Sequence, residues 1–235
     1  MELLLISATD FEIRPLLSRS TFVKAHDEQM WTYKLKHLFF DVLIPGVGMV
    51  PTAFALGQRL AMKRYDFAIN AGIAGSFRDS LPPGTVVNVV EDCMAELGAE
   101  EEEKLLSIFD LGLADRDGHP YRDGKLFSHH AADDAWLGGI LRDYPKVTGI
   151  TSNTVHGSAG SIERIRRLMD ADIESMEGAA FFFACLSRRI PSLQIRSVSN
   201  MVEERKKSHW RLDLALDNLN KALLEILRYH AGPAG

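Results

Sequence analysis

Short apolar runs alternate along this chain with stretches in which apolar residues recur at helical spacing. Leu3 to Ala8 is a continuous apolar run, the pattern of a strand covered on both faces. Phe39 to Ile44 is a second strand, ended by Pro45-Gly46-Val47-Gly48, and Pro51 to Arg64 reads as a helix with proline in its first turn. Phe67 to Ala71 predicts a short strand stopping at Gly72-Ile73-Ala74-Gly75, and the valine-rich Thr85 to Val90 predicts another. Lys146 to Ser152, Asp172 to Met176 and Leu193 to Ser199 complete the strands. Helices are expected over Asp134 to Asp143, Ile162 to Met169, Ala179 to Arg189 and Arg211 to His230. In the last, Leu212, Leu216, Leu219, Leu223 and Ile226 form one apolar face.

Alternation of this kind predicts an α/β sandwich with a largely parallel sheet. No Pro/Ser-rich linker and no repeat interrupts it, so residues 1–230 are expected to form one domain, with 231–235 a disordered tail. The segment from Glu96 to His130 is polar. Its acidic run, Glu100 to Glu103, reads as a solvated loop, while Leu105, Leu106, Ile108, Phe109 and Leu111 suggest a short element over the sheet edge.

Composition narrows the classes. Lys and Arg number 27 against 32 Asp and Glu, and that net negative balance argues against a sequence-independent grip on nucleic acid. Two distant cysteines, Cys93 and Cys185, form no CxxC pair and suit a reducing cytoplasm. The start, Met1 to Ile6, has no basic region and a short apolar run, and no run approaches the roughly 18 apolar residues of a membrane helix. The histidines, His129-His130, His156 and His209 among them, make no metal-ligand spacing. GxSxG, GxGxxG and GxxxxGK[ST] are all absent.

The chemistry is expected at strand ends. Glycine-containing turns at Gly46-Val47-Gly48, Gly72-Ile73-Ala74-Gly75 and Gly157-Ser158-Ala159-Gly160 would let backbone approach a ligand at one sheet edge, where open α/β sheets bind small molecules. Glu177 follows a strand and precedes an apolar helix opening on Gly178-Ala179-Ala180. It is either an acid at a helix N-terminus or a carboxylate facing a cleft, suited to a pair of ribose hydroxyls. Glu12 has capping-box spacing from Thr9, although Pro15 would remove a hydrogen bond from the next turn, and catalysis is the competing role. Asn200 ends a strand, either as a turn residue or as an amide that donates and accepts side by side, matching the O6/N7 edge of a 6-oxopurine carrying a proton on N7. Phe181-Phe182-Phe183 reads as core, one ring of which could reach a pocket.

At these residues the chain resembles the nucleoside phosphorylase and nucleosidase superfamily. Ala8 to Glu12, Gly46-Val47-Gly48, Asn70 to Gly75, Gly157 to Gly160, Met176-Glu177 and Ser199-Asn200 fall in that family's order and spacing. Within it the chain is similar to the branch that hydrolyses futalosine in menaquinone biosynthesis. Ala95 to Glu100, Phe109 to Leu113, Glu174 to Ala180 with its Phe-rich continuation, and Ser199-Asn200 followed by Arg205 and Trp210 carry that narrower likeness. The resemblance implies a three-layer α/β/α sandwich with a mixed, largely parallel central sheet, and a homodimer or higher homo-oligomer. It implies hydrolysis of an N-glycosidic bond, a small nucleoside as substrate, and no metal or other cofactor.

Residue by residue, it implies that Glu12 activates the attacking water and that Glu177 clamps the ribose hydroxyls with Met176 against the sugar. Ile73, Ala74, Thr154 and Val155 would wall the base pocket, and Val47 the sugar or 5' pocket. Ala8, Gly75 and Ser175, in the same words, are expected at the substrate. Asn200 stands where adenine-releasing members carry aspartate, which favours 6-oxopurines. Phe181, Trp210 or a partner subunit would face the 5' group, and Arg205 would meet a carboxylate on it. Phosphorolysis stays open through Arg14 and Arg78, as does a sensor that binds a nucleoside without cleaving it.

Overall fold

The structure, a computed structural model, describes residues 1–102, 104–128 and 139–230. In chain order its elements are β1 (Leu3–Ile6), α1 (Asp10–Leu17), β2 (Thr21–Ala25), β3 (Met30–Leu35), β4 (Leu38–Leu43), α2 (Met49–Met62), β5 (Phe67–Ser76), β6 (Val86–Met94), β7 (Gly98–Glu101), β8 (Lys104–Ser107), β9 (Leu126–Phe127), β10 (Lys146–Thr151), α3 (Ala159–Leu168), β11 (Ile173–Ser175), α4 (Gly178–Ser187), β12 (Ser192–Met201) and α5 (Leu212–His230). The expected tail lies outside the described residues. So does the start of the helix expected from Asp134, of which a 3-10 turn at Ile140–Asp143 is described.

The main sheet runs β11-β10-β6-β12-β5-β1-β4-β3-β2, with β9 paired to β6. Its centre, β4-β1-β5-β12, is parallel. The pairings of β12 with β6, and of β3 with both neighbours, are antiparallel, so the sheet is mixed. Strand pleat assigns side chains alternately to two faces. Leu4 and Ile6 meet α2 and α4 on one side through Leu56, Leu60, Phe181 and Phe182. Leu3 and Leu5 meet α1 and α5 on the other through Ile13, Leu16, Leu219 and Leu223. That gives three layers with β1 in the middle, each buried large apolar side chain contributing about 1.5–3 kcal/mol.

Two strands run past their expected ends. β5 continues through Gly72-Ile73-Ala74-Gly75 to Ser76, because β12 pairs with it that far and β11 joins it antiparallel at Gly75 and Ser76. The glycines are therefore not a turn. They leave a bare strand surface that neighbouring side chains can touch. β12 likewise reaches Met201, with a register shift between Val198 and Asn200. A bulge of this kind re-aims the residues around it.

The first strands after α1, β2 and β3, are absent from the sequence-based expectation. Every residue of β2 is exposed, and an edge strand without a buried face carries little periodic signal. The segment after Glu96 forms a hairpin of β7 and β8.

Pro15 does not prevent α1, because α5 repairs it. The amide of Asn220 accepts from Leu16 N–H (2.9 Å) and donates to the Glu12 carbonyl (2.8 Å), so a buried side chain bridges the helix one turn past Glu12.

Candidate active site

A cavity of about 320 Å³ opens where β1, β5, β11 and β12 end. Glu12 enters it from α1. The capping box is present, with Glu12 Oε2 accepting from the Thr9 N–H (3.1 Å). The same oxygen also accepts from the hydroxyls of Ser7 (3.1 Å) and Thr9 (3.2 Å), and Oε1 accepts from Ile73 N–H (3.0 Å). Capping and cavity placement thus coincide in one side chain. Its four hydrogen bonds come from three residues, two in the β1–α1 connection and one in β5, and fix the carboxylate before any ligand arrives.

Glu177 stands at the N-cap position of α4, with no side-chain cap hydrogen bond, and lines the same cavity as Glu12. Gly48 N–H donates to its Oε1 (3.1 Å), and Arg196 Nη1 to its Oε2 (3.4 Å). Gly48 can turn its N–H inward because its φ is +104°, a conformation L side chains rarely adopt. Burial pushes the Glu177 carboxyl above its ordinary range, and the nearby guanidinium pulls the other way.

Sequence reasoning missed Arg196, a buried partner of Glu177 that does not itself line the cavity. It projects from the middle of β12, 1% exposed, and its other nitrogen donates to Asn70 Oδ1 (2.5 Å). A Cβ built on Gly72 would meet Arg196 Nη1 at 2.4 Å and Glu12 Oε1 at 2.9 Å. Glycine at 72 is therefore what lets the guanidinium and the Glu12 carboxylate crowd one strand surface. The available signal was a lone charge in a strand whose other residues are all uncharged.

Behind Glu177 lies a second buried acid. Asp92 accepts from Thr151 Oγ1 (2.9 Å) and Gln194 Nε2 (2.9 Å), while the Thr151 hydroxyl oxygen accepts from Ala179 N–H (2.7 Å) in the first turn of α4. A Cβ on Gly178 would lie 2.2 Å from Asp92 Oδ2, so the small residues opening α4 admit this carboxylate. Desolvation raises Asp92 to about 6.

Asn200 lines the same cavity. Ser199 Oγ donates to its Oδ1 (2.8 Å), and its Nδ2 donates to the Met201 carbonyl (2.9 Å), each leaving one hydrogen-bonding position for a ligand. Ala8, Val47, Ile73, Ala74, Gly75, Val155, Ser175, Met176 and Arg205 line it as well. Thr154 does not. It is exposed, in a turn closed by Ser152, whose hydroxyl accepts from its N–H and donates to its carbonyl. Phe181 is fully buried against Phe182, as its reading as core predicts, and is not the ring that reaches the 5' pocket. Trp210 does line the cavity, and the Arg205 guanidinium lies 5.1 Å from its ring centre. Thr9, Glu174 and Ser199 are lining residues the sequence reading left out.

Arg14 and Arg78 point elsewhere. Arg14 pairs with Asp10, and Arg78 with Asp170 and Asp172, all at the surface. Among the described residues, no group of three or more His, Cys, Asp or Glu is placed to hold a metal ion. No helix among them is long and apolar enough to cross a membrane.

Fold and site define a member of the phosphorylase superfamily. The model of that family matches residues 2–228, and the chain belongs to it. It is 30% identical over 200 residues to the futalosine hydrolase of Thermus thermophilus, covering 84% of this chain and 85% of that one. Among solved structures it is similar to Streptococcus pneumoniae MTA/SAH nucleosidase in complex with 8-aminoadenine (TM-score 0.80, 18% identity, covering 97% and 99% of the two chains). It is equally similar to the native futalosine hydrolase of Helicobacter pylori (TM-score 0.79, 15% identity, covering 97% and 98%). The chain is an enzyme of this superfamily, an N-glycosyl hydrolase.

Proposed function

We propose that this enzyme hydrolyses the N-glycosidic bond of futalosine and releases hypoxanthine, a step of menaquinone biosynthesis. The observation that carries the choice of base is Asn200, an amide rather than an acid, in the same cavity as Glu12 and Glu177. An amide oxygen can accept from N7–H while its NH₂ donates to O6 of a 6-oxopurine. An adenine amine would face that donor and leave it unpaired, at a cost of about 1–3 kcal/mol. The 30% identical Thermus relative supports the same substrate.

In this reading the C1'–N bond loosens first and positive charge grows on the sugar. Glu177 holds the ribose hydroxyls and its anion favours the cation. Glu12 takes a proton from the water that attacks C1'. Val47, Met176 and Trp210 offer apolar surface to the 5' group, and the exposed Arg205 offers a partner for a carboxylate on it.

Hydrolysis is favoured over phosphorolysis because the two surface arginines are paired away from the cavity, whose water-activating side carries the acid Glu12. The reading includes a cytoplasmic homodimer. On α2, Val50 and Phe54 are 75% and 66% exposed beside Val47, an apolar surface a second copy could cover.

The test is a panel of futalosine, inosine, 6-amino futalosine and methylthioadenosine, assayed with and without phosphate. The expected result is hypoxanthine release from futalosine that needs no phosphate. Preferred cleavage of the two aminopurine nucleosides would reject the base assignment. Release only with phosphate would make the enzyme a phosphorylase, and tight nucleoside binding without release would make the protein a sensor.

A further inference from the structure

The hydrolysis proposed above leaves one proton without a donor. As the C1'–N9 bond breaks, its electron pair stays on the purine, and the base departs well only if N7 gains a proton. An asparagine has none to give. A recess beside the cavity holds a side chain able to carry one.

Glu174 is 2% exposed and lines the cavity from β11. It grips a single residue at two points. Its carboxylate accepts from the backbone N–H of His156 (3.1 Å) and pairs with the ring Nδ1 (2.6 Å). A carboxylate at Nδ1 fixes that nitrogen as N–H and turns Nε2 to the opposite side of the ring. Among the described residues Nε2 has no hydrogen-bond partner. His156, Glu174 and Asn200 together border a recess of about 40 Å³ that adjoins the cavity. That is room enough for one water, which needs on the order of 10–15 Å³. The other charged groups on the recess are Glu203, Arg205 and Lys206.

We propose that His156, oriented by Glu174, is the general acid that protonates the leaving base. The inference rests on the purine nucleoside reading and supplies its missing step. The proton leaves Nε2 of the His156 imidazolium and passes through a water in the recess to N7 of the purine, while the C1'–N9 electron pair settles on the base. His156 becomes neutral, and Asn200 Oδ1 accepts from the new N7–H. The attacking water gives its hydroxyl to C1' and its proton to Glu12. After product release that proton returns to His156 through solvent, and one water has been consumed. Glu174 is a positioning residue in this scheme, because it acts through the ring.

The experiment compares two leaving groups on one sugar. Inosine needs protonation at the base, whereas p-nitrophenyl β-D-ribofuranoside departs as a stable phenolate. His156→Asn keeps an N–H for Glu174 and removes the acid. It should lower kcat/KM for inosine by roughly 10²- to 10⁴-fold. Its loss on the nitrophenyl riboside should be at least about tenfold smaller. His156→Gln, which removes the acid and repositions the anchoring amide, should show the same bias, so the result does not depend on one variant's folding. Glu174→Gln should show a weaker bias, and His156→Asn/Glu174→Gln should be no worse than His156→Asn alone, as expected of residues acting as a unit. Equal losses on both leaving groups, or an inosine rate within about threefold of wild type, would overturn the proposal. Wild-type protein that releases hypoxanthine from no nucleoside of the panel, yet cleaves the nitrophenyl riboside, would instead reject the purine reading on which the proposal stands.

Discussion

The guanidinium of Arg196 lies 3.4 Å from the Glu177 carboxylate, with both groups buried and Gly72 the bare strand surface beside them. A buried pair of this kind is costly to break, because removing one partner strands the other charge away from water. It also sets the proton affinity of Glu177. Burial raises it and Arg196 lowers it, so the acid is held between two opposing effects.

Arg196→Met should therefore do two things. Loss of the cation raises Glu177 further, so a smaller fraction is ionised at a given pH, and the acidic limb of the kcat/KM profile moves to higher pH. Stability should fall by about 3–5 kcal/mol. A pH–rate profile and urea unfolding check this. An acidic limb that stays in place would remove Glu177 as the titrating group.

Glu12→Gln separates two roles that one side chain combines. Glutamine also serves at the third position of a capping box and keeps one acceptor for Thr9, but its NH₂ cannot accept from Ile73 N–H, so one hydrogen bond is lost and stability should fall by about 1–3 kcal/mol. As a base it is useless, and turnover should drop roughly 10²- to 10⁴-fold. Product affinity measured by calorimetry should stay near wild type. A near-wild-type kcat would exclude Glu12 as the group that activates water.

Asn200→Asp exchanges an amide that cannot donate a proton for an acid that can. The ratio of kcat/KM for 6-amino over 6-oxo nucleosides should rise by about 5- to 150-fold, the equivalent of about 1–3 kcal/mol for a donor no longer left unpaired. An unchanged ratio would show that base selection lies elsewhere in the cavity.

Asp92→Asn tests the buried acid behind α4. The folded-state value of about 6 lies above the usual 3.8. The fold therefore holds this proton more tightly than the unfolded chain does. Stability from the protonated form is fully present below about 3.8, declines as pH rises from there to about 6, and stays lower above it. Asparagine does not ionise and carries no such decline. The deficit of the variant relative to wild type should thus shrink by about 2.5 kcal/mol between roughly pH 4 and pH 7.5. Urea unfolding of both proteins at those two pH values measures it. A deficit that is constant with pH would mean that Asp92 is ionised throughout.

What the chain determines by itself is what depends on near neighbours. The apolar run at β1, the periodic face of α5 and the small residues opening α4 each respond to periods of 2 or 3.6 residues, and each appears where those periods predict. Met176-Glu177 and Asn200 were legible for the same reason, standing at or near strand ends beside small or hydroxyl-bearing neighbours. Tertiary structure decided the rest. Gly72 to Gly75 looked like a turn and became strand, because β12 supplied partners that no local pattern encodes. Arg196 sat in an otherwise uncharged strand with nothing beside it in sequence to balance its charge, while its partners Asn70 and Glu177 are 126 and 19 residues away. Pro15 argued against a helix that Asn220, 204 residues from Leu16, holds together. Phe181 turned to the core and Thr154 to solvent, since the face a residue presents depends on which neighbour the sheet register sets against it.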